Sequence, residues 1–84
     1  SDNQIKINGY RIEPSEIEII LKKYPGIEQC VVIHKLNFKK NQLIAYYTDT
    51  QSSKRHSENK FIDFLRKKLP VYMIPSRYIK LKNM

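Results

Sequence analysis

The dipeptide Asn8-Gly9 is the tightest local constraint in this chain, because both residues tolerate the positive φ angles of a two-residue type I′ turn. On either side, Gln4-Ile5-Lys6-Ile7 and Tyr10-Arg11-Ile12-Glu13 alternate with period two, as strands do when one face is buried. The pattern predicts a β-hairpin in which Ile7 faces Tyr10, Lys6 faces Arg11 and Ile5 faces Ile12. The apolar set then packs, while Lys6 and Arg11 stand opposite each other on the displayed face. Like charges so placed cost roughly 0.2–1 kcal/mol. A bound anion relieves that cost; the alternative is that both side chains splay into water or find Glu13 and Asp2.

Downstream, Ser15 followed by Glu18 has the form of a capping box. Ile17, Ile20, Leu21 and Tyr24 recur at helical spacing until Pro25-Gly26, which predicts a helix over about Pro14 to Tyr24. Ile27 to Leu36 is rich in β-branched residues with apolar side chains on both faces, the pattern of a central strand covered on two sides. After a turn at Asn37 to Asn41, Leu43-Ile44-Ala45-Tyr46-Tyr47 reads as a second strand. Thr48 to Ser57 is polar, lacks an apolar anchor and is expected to be a flexible loop.

Ser57 is placed to cap a second helix carrying Phe61, Ile62, Phe64, Leu65 and Leu69, stopped by Pro70 because proline disfavours helix in the residue before it. Tyr72-Met73-Ile74-Pro75 is an aromatic and apolar turn suited to core or interface packing. Tyr78 to Leu81 adds a short strand. The expected class is α+β: an N-terminal β-hairpin followed by a small three-stranded sheet with two helices packed on it.

With 84 residues, 40% of them hydrophobic, the chain holds one compact unit with a modest core. Sixteen Lys and Arg against eight Asp and Glu give a formal charge of +8, which favours anionic partners or simply solubility. Cys30 is the single cysteine and lies in an apolar run, so it reads as a core thiol in a reducing, cytoplasmic setting. His34 reads as a strand residue and His56 as a loop residue. No metal-ligand spacing, glycine-rich phosphate loop, signal peptide or membrane span is legible. Nothing in the chain could run a reaction alone.

The residues Asp2-Asn3-Gln4-Ile5-Lys6-Ile7-Asn8-Gly9-Tyr10-Arg11-Ile12-Glu13, then Glu16-Ile17-Glu18, resemble the eighth core motif of adenylation domains, D-x-Q-x-K-I-R-G-x-R-I-E-x-x-E-I-E. Leu69-Pro70-Val71-Tyr72-Met73-Ile74-Pro75 resembles the start of the tenth, L-P-x-Y-M-I-P. The chain is thus identified as similar to the C-terminal subdomain of adenylate-forming ligases, on the nonribosomal-peptide-synthetase side.

The resemblance implies a two-part enzyme using ATP and Mg2+. A large N-terminal subdomain in cis makes an acyl-adenylate while the small part serves as a lid. After rotation, the hairpin face helps deliver a phosphopantetheine thiol, borne by a peptidyl carrier protein, to the adenylate. Nucleic acid and membrane are not implied as partners. By the same resemblance Asp2 is the hinge position, and Gly9 is the glycine that lets pantetheine pass close to backbone. Lys6 and Arg11 become phosphate-contacting candidates, Lys6 for nucleotide and Arg11 on the thiol face.

Asn8 departs from the usual arginine of the motif. The lysine of the N-G-K stretch, which carries the catalytic role in the family, is expected beyond Met84, so residues 1–84 by themselves are expected to be inactive. The rival reading is a small basic RNA-recognition-like module, since the βαββαβ order with positive charge also describes that fold. It lacks the aromatic K/R-G-F/Y-G/A-F signature. A purely regulatory interaction domain is a third reading.

Overall fold

The computed structural model describes residues 4–50 and 56–84. The chain forms an α+β unit with two strands, β1 (Ile5–Ile7) and β2 (Tyr10–Ile12), the helix α1 (Pro14–Leu21), strands β3 (Ile27–Asn37) and β4 (Lys40–Asp49), the helix α2 (Glu58–Arg66), a 3₁₀ turn at Val71–Met73 and the strand β5 (Arg77–Lys80). The hairpin has the register expected from its turn, with Ile5 opposite Ile12, Lys6 opposite Arg11 and Ile7 opposite Tyr10. Asn8 and Gly9 take φ of 52° and 84°, the two positive values that the turn type requires.

The second sheet has the order β3-β4-β5, with β3 antiparallel to β4 and β4 parallel to β5. The helix α2 lies in the crossover between the two parallel strands, as parallel pairing demands. β4 is therefore the central strand. The sequence pattern pointed instead to β3, because it is apolar on both faces. Cys30 and Val32 of β3 are buried in the core that the helices cover. Val31 and Ile33 are exposed, on the opposite face with their β4 partners Tyr46 and Ile44.

The core draws Ile17 and Leu21 from α1, Phe61 and Leu65 from α2, Ala45 and Tyr47 from β4, and Tyr78 from β5. Phe61 is fully buried and meets four other rings: Tyr24, Tyr47, His56 and Tyr78, the last stacked at 4.9 Å. It ties α2 to the end of the α1 region and to both parallel strands. The Tyr78 hydroxyl is buried and has no hydrogen-bond partner among the described residues. Burial, with the Glu58 carboxylate nearby, pushes this phenol well above its ordinary value.

Three local expectations are corrected. The first helix begins with Glu13 in extended backbone as its N-cap and Pro14 in its first turn, with no side-chain cap, because proline at the first position is preorganised for helix and lacks the N–H that a cap would satisfy. Ser15 lies inside the helix, and the Glu18 carboxylate accepts a hydrogen bond from the Val32 N–H at 2.8 Å. Both helices are shorter than expected: α1 ends at Leu21 and α2 at Arg66, with turns carrying the chain on to Tyr24 and Leu69. Finally, Thr48 and Asp49 belong to β4 and are buried, and His56 packs against Phe61 and the ring of Tyr24. The polar stretch is thus anchored at both ends; residues 51–55, on which the expectation of flexibility falls, lie outside the described residues.

Ser57 caps α2 as expected, its hydroxyl accepting from the Asn59 N–H at 3.2 Å. Glu58, at the start of that helix, accepts from the Tyr78 N–H at 3.2 Å. Each outer strand of the three-stranded sheet therefore has one outward N–H taken by a glutamate of a helix, Glu18 on β3 and Glu58 on β5.

The ring cluster yields a contrast between two variants. Phe61→Ala is expected to cost about 3–5 kcal/mol, a large share of the roughly 4–13 kcal/mol available to a chain of this size. Tyr78→Phe is expected to be neutral or stabilising by up to about 1 kcal/mol, because it removes a desolvated hydroxyl while keeping the stack. Urea unfolding of both variants checks this; a marked loss in Tyr78→Phe would reveal a hydroxyl partner.

Candidate functional site

The hairpin is the element on which the sequence motifs converge, and its geometry follows from its two faces. Ile7 and Ile12 are buried and root it in the core, while Lys6 and Arg11 are exposed and paired across the strands. Neither forms an ion pair with another described residue. Glu13 instead accepts a hydrogen bond from the Gln4 side-chain amide at 3.2 Å. Two cationic heads on neighbouring strands at one level form a donor pair whose natural complement is a phosphate or carboxylate.

Gly9 sits at the tip of this face. A Cβ built on it would meet no atom within 4 Å, so the chain's own packing does not require glycine there; the φ of 84° favours glycine, with asparagine the best-tolerated substitute. The space above the turn is open. Asp2, singled out as a hinge, lies outside the described residues.

The side of the hairpin away from Lys6 and Arg11 carries a feature that sequence reasoning missed. Tyr10, half exposed, stacks on Tyr72 of the 3₁₀ turn with ring centroids 4.0 Å apart and planes 12° from parallel. Beside the pair lies an open depression of about 200 Å³ lined by Ile7, Asn8, Asn41, Leu43 and Ile74 among others. Of the predicted apolar turn, Met73 and Pro75 are buried as expected, whereas Tyr72 and Val71 are exposed. Only the aromatic character of both motifs signals the pairing of Tyr10 with Tyr72, because their separation along the chain hides it.

The other chemically capable groups are structural. The Cys30 thiol lies against α1, donates to the Glu18 carbonyl at 3.2 Å and is pushed up to about 11 by burial, reinforced by the Glu18 charge. A thiol held protonated is a poor nucleophile. His34 in β3 meets the Asn41 side chain at 2.7 Å. The His56 Nε2 and the Asp49 carboxylate form a buried hydrogen-bond contact at the end of β4, and that carboxylate is what a Cβ at Gly26 would strike, at 3.1 Å. Among the described residues no cluster of three or more His, Cys, Asp or Glu is arranged to hold a metal, and no helix is long and apolar enough to cross a membrane.

Comparison with known proteins decides what kind of chain presents such a hairpin. Over 99% of its length it is 39% identical to part of N-(5-amino-5-carboxypentanoyl)-L-cysteinyl-D-valine synthase of Penicillium rubens and 34% identical to part of gramicidin S synthase 2 of Brevibacillus brevis. It spans about 2% of the length of each. Over its whole length the chain is similar to the C-terminal subdomain of adenylate-forming, AMP-binding ligases. No family model matches it.

Among solved structures it superposes on IdnL1 with a TM-score of 0.84 and 26% identity, over 98% of this chain and 16% of that one. On the fatty acyl CoA synthetase of Mycobacterium tuberculosis the TM-score is also 0.84, over 99% of this chain and 16% of that one, but at 23% identity that likeness shows the fold alone. The whole of this small α+β fold therefore recurs inside chains about six times its length.

The Cys30 thiol gives a pH prediction for this unit. Its folded-state value lies above the ordinary one of 9.0, so the unfolded thiol ionises first as pH rises. The stability it contributes is intact below about pH 9 and lost as pH climbs through about 11, with Tyr78 acting in the same sense at still higher pH. Thermal unfolding should show a decline across that window that is shallower in Cys30→Ala.

Proposed function

We propose that this chain is the mobile C-terminal lid of an ATP-dependent ligase that activates a carboxylic acid, an amino acid in the first instance, as acyl-AMP and passes it to a phosphopantetheine thiol on a carrier protein. The observation that carries the reading is the hairpin: a positive-φ glycine with open space above it, beside a cross-strand pair of cations. The synthases that resemble the chain over its whole length support the amino-acid and carrier side of the reading.

In this reading the large N-terminal subdomain binds ATP, Mg2+ and the acid. The lid supplies surfaces. Lys6 and Arg11 meet phosphate oxygens of the nucleotide or of the pantetheine arm, as charge-assisted donors that need no proton transfer. Gly9 offers bare backbone where the arm passes, and Asp2 marks the hinge about which the lid turns between its two tasks. When bound, ATP supplies the phosphoryl chemistry; this segment orients and screens, and the catalytic lysine of the family lies outside residues 1–84.

The reading separates two half-reactions, and one substitution tests that separation in the parent ligase. Asparagine tolerates positive φ, so Gly9→Asn keeps the turn while filling the space above it. It is expected to leave acid-dependent ATP–pyrophosphate exchange within about threefold of wild type while cutting thioester formation by about 100-fold or more, on the scale by which small misplacements slow reactions. Arg11→Ala is expected to weaken thioester formation about tenfold, the loss of one charge-assisted contact. Equal loss of both half-reactions in Gly9→Asn would sink the face-specific account, and absence of exchange with every amino or fatty acid would sink the ligase reading itself.

A further inference from the structure

The hairpin β1–β2 is a sheet of its own: no strand pairing among the described residues joins it to β3-β4-β5. The buried Ile7 holds the turn on its β1 side, whereas on the β2 side burial begins only at Ile12, because Tyr10 is half exposed. An open depression of about 200 Å³, lined in part by Ile7, Asn8, Tyr10 and Tyr72, lies beside the turn. The contact that ties down the β2 side is the stack of Tyr10 on Tyr72, at 4.0 Å and 12°. Its far partner is firmly seated, since Met73 and Pro75, which follow it in the chain, are buried.

We propose that Tyr72 is a positioning residue for the thioester-forming step: by stacking on Tyr10 it holds the Asn8–Gly9 turn at a fixed distance from the sheet, so that the backbone at Gly9 is preplaced for the pantetheine arm. The proposal rests on the function assigned above. Tyr10 follows Gly9 directly, so holding its ring restrains the very peptide whose position matters. Both rings are partly exposed, 50% for Tyr10 and 40% for Tyr72, which suits a contact made for alignment rather than for core burial. Phenol rings keep an apolar face for the stack and a polar end for water.

A stacked aromatic pair is worth about 0.5–1.5 kcal/mol beyond its buried area, which corresponds to a roughly 2- to 13-fold change in the population of a freed tip. The experiment is done in the parent ligase with Tyr72→Ala and Tyr72→Phe. It follows amide hydrogen exchange over residues 5–12, ATP–pyrophosphate exchange, and single-turnover acyl transfer with the KM for the thiol acceptor. In Tyr72→Ala the hairpin amides should exchange faster by about that factor, and acyl transfer should slow at least as much. Adenylation should stay near wild type, and Tyr72→Phe, which keeps the ring, should restore hairpin protection and transfer together.

Unchanged hairpin exchange in Tyr72→Ala would overturn the proposal, as would parallel loss of both half-reactions or failure of Tyr72→Phe to rescue. If wild-type parent forms no acyl-adenylate, the functional reading is what has failed. The hydrogen-exchange comparison still decides separately whether the stack holds the hairpin.

Discussion

Everything in this small unit hangs on the burial of Phe61. A single ring from α2 meets side chains from the end of the α1 region, from the central strand β4 and from β5, and so fixes the crossover helix against the two strands it connects. A parallel pair needs such a crossover, and the connection has value only if its helix packs back on the sheet. Because the core lies on one face of the sheet, the helices, the buried Cys30 and the roots of the hairpin share one apolar layer. The hairpin, with no strand pairing to the sheet among the described residues, takes its orientation from that layer through Ile7 and Ile12.

The division of labour along the hairpin follows from its period-two pattern. One set of alternate residues faces inward and anchors; the other carries Lys6 and Arg11 outward. A glycine at the tip gives a turn whose space above is open. Buried anchors and an accessible tip suit an element that must present backbone to a partner, and the proposed function gives that geometry a task.

The hairpin was legible because its determinants are local: turn chemistry and alternation fix both its existence and its register. The same holds for Ser57 as the cap of α2. The strand order was not legible, because Val31 and Ile33 look like core residues in the sequence and only the pairing partners reveal that β3 lies at an edge. The capping box failed for a comparable reason. Pro14 opens the helix with Glu13 as N-cap, two residues before Ser15, and Glu18 answers a backbone N–H on a strand formed later in the chain. The turn at Gly9 and the outward placement of Lys6 and Arg11 were legible from turn chemistry and alternation, whereas the stacking of Tyr10 on Tyr72 depends on a long-range closure that no local pattern encodes.

The two glutamates that reach the outer strands bear on how the unit meets other sheets. An unprotected sheet margin invites strands from neighbouring molecules. Here Glu18 and Glu58 each occupy an outward backbone donor with a carboxylate that belongs to the unit's own helices. Each margin is therefore guarded at one point from within. Two such units brought side by side would find a donor on each outer strand already taken by the unit's own helix, which disfavours pairing of their sheets.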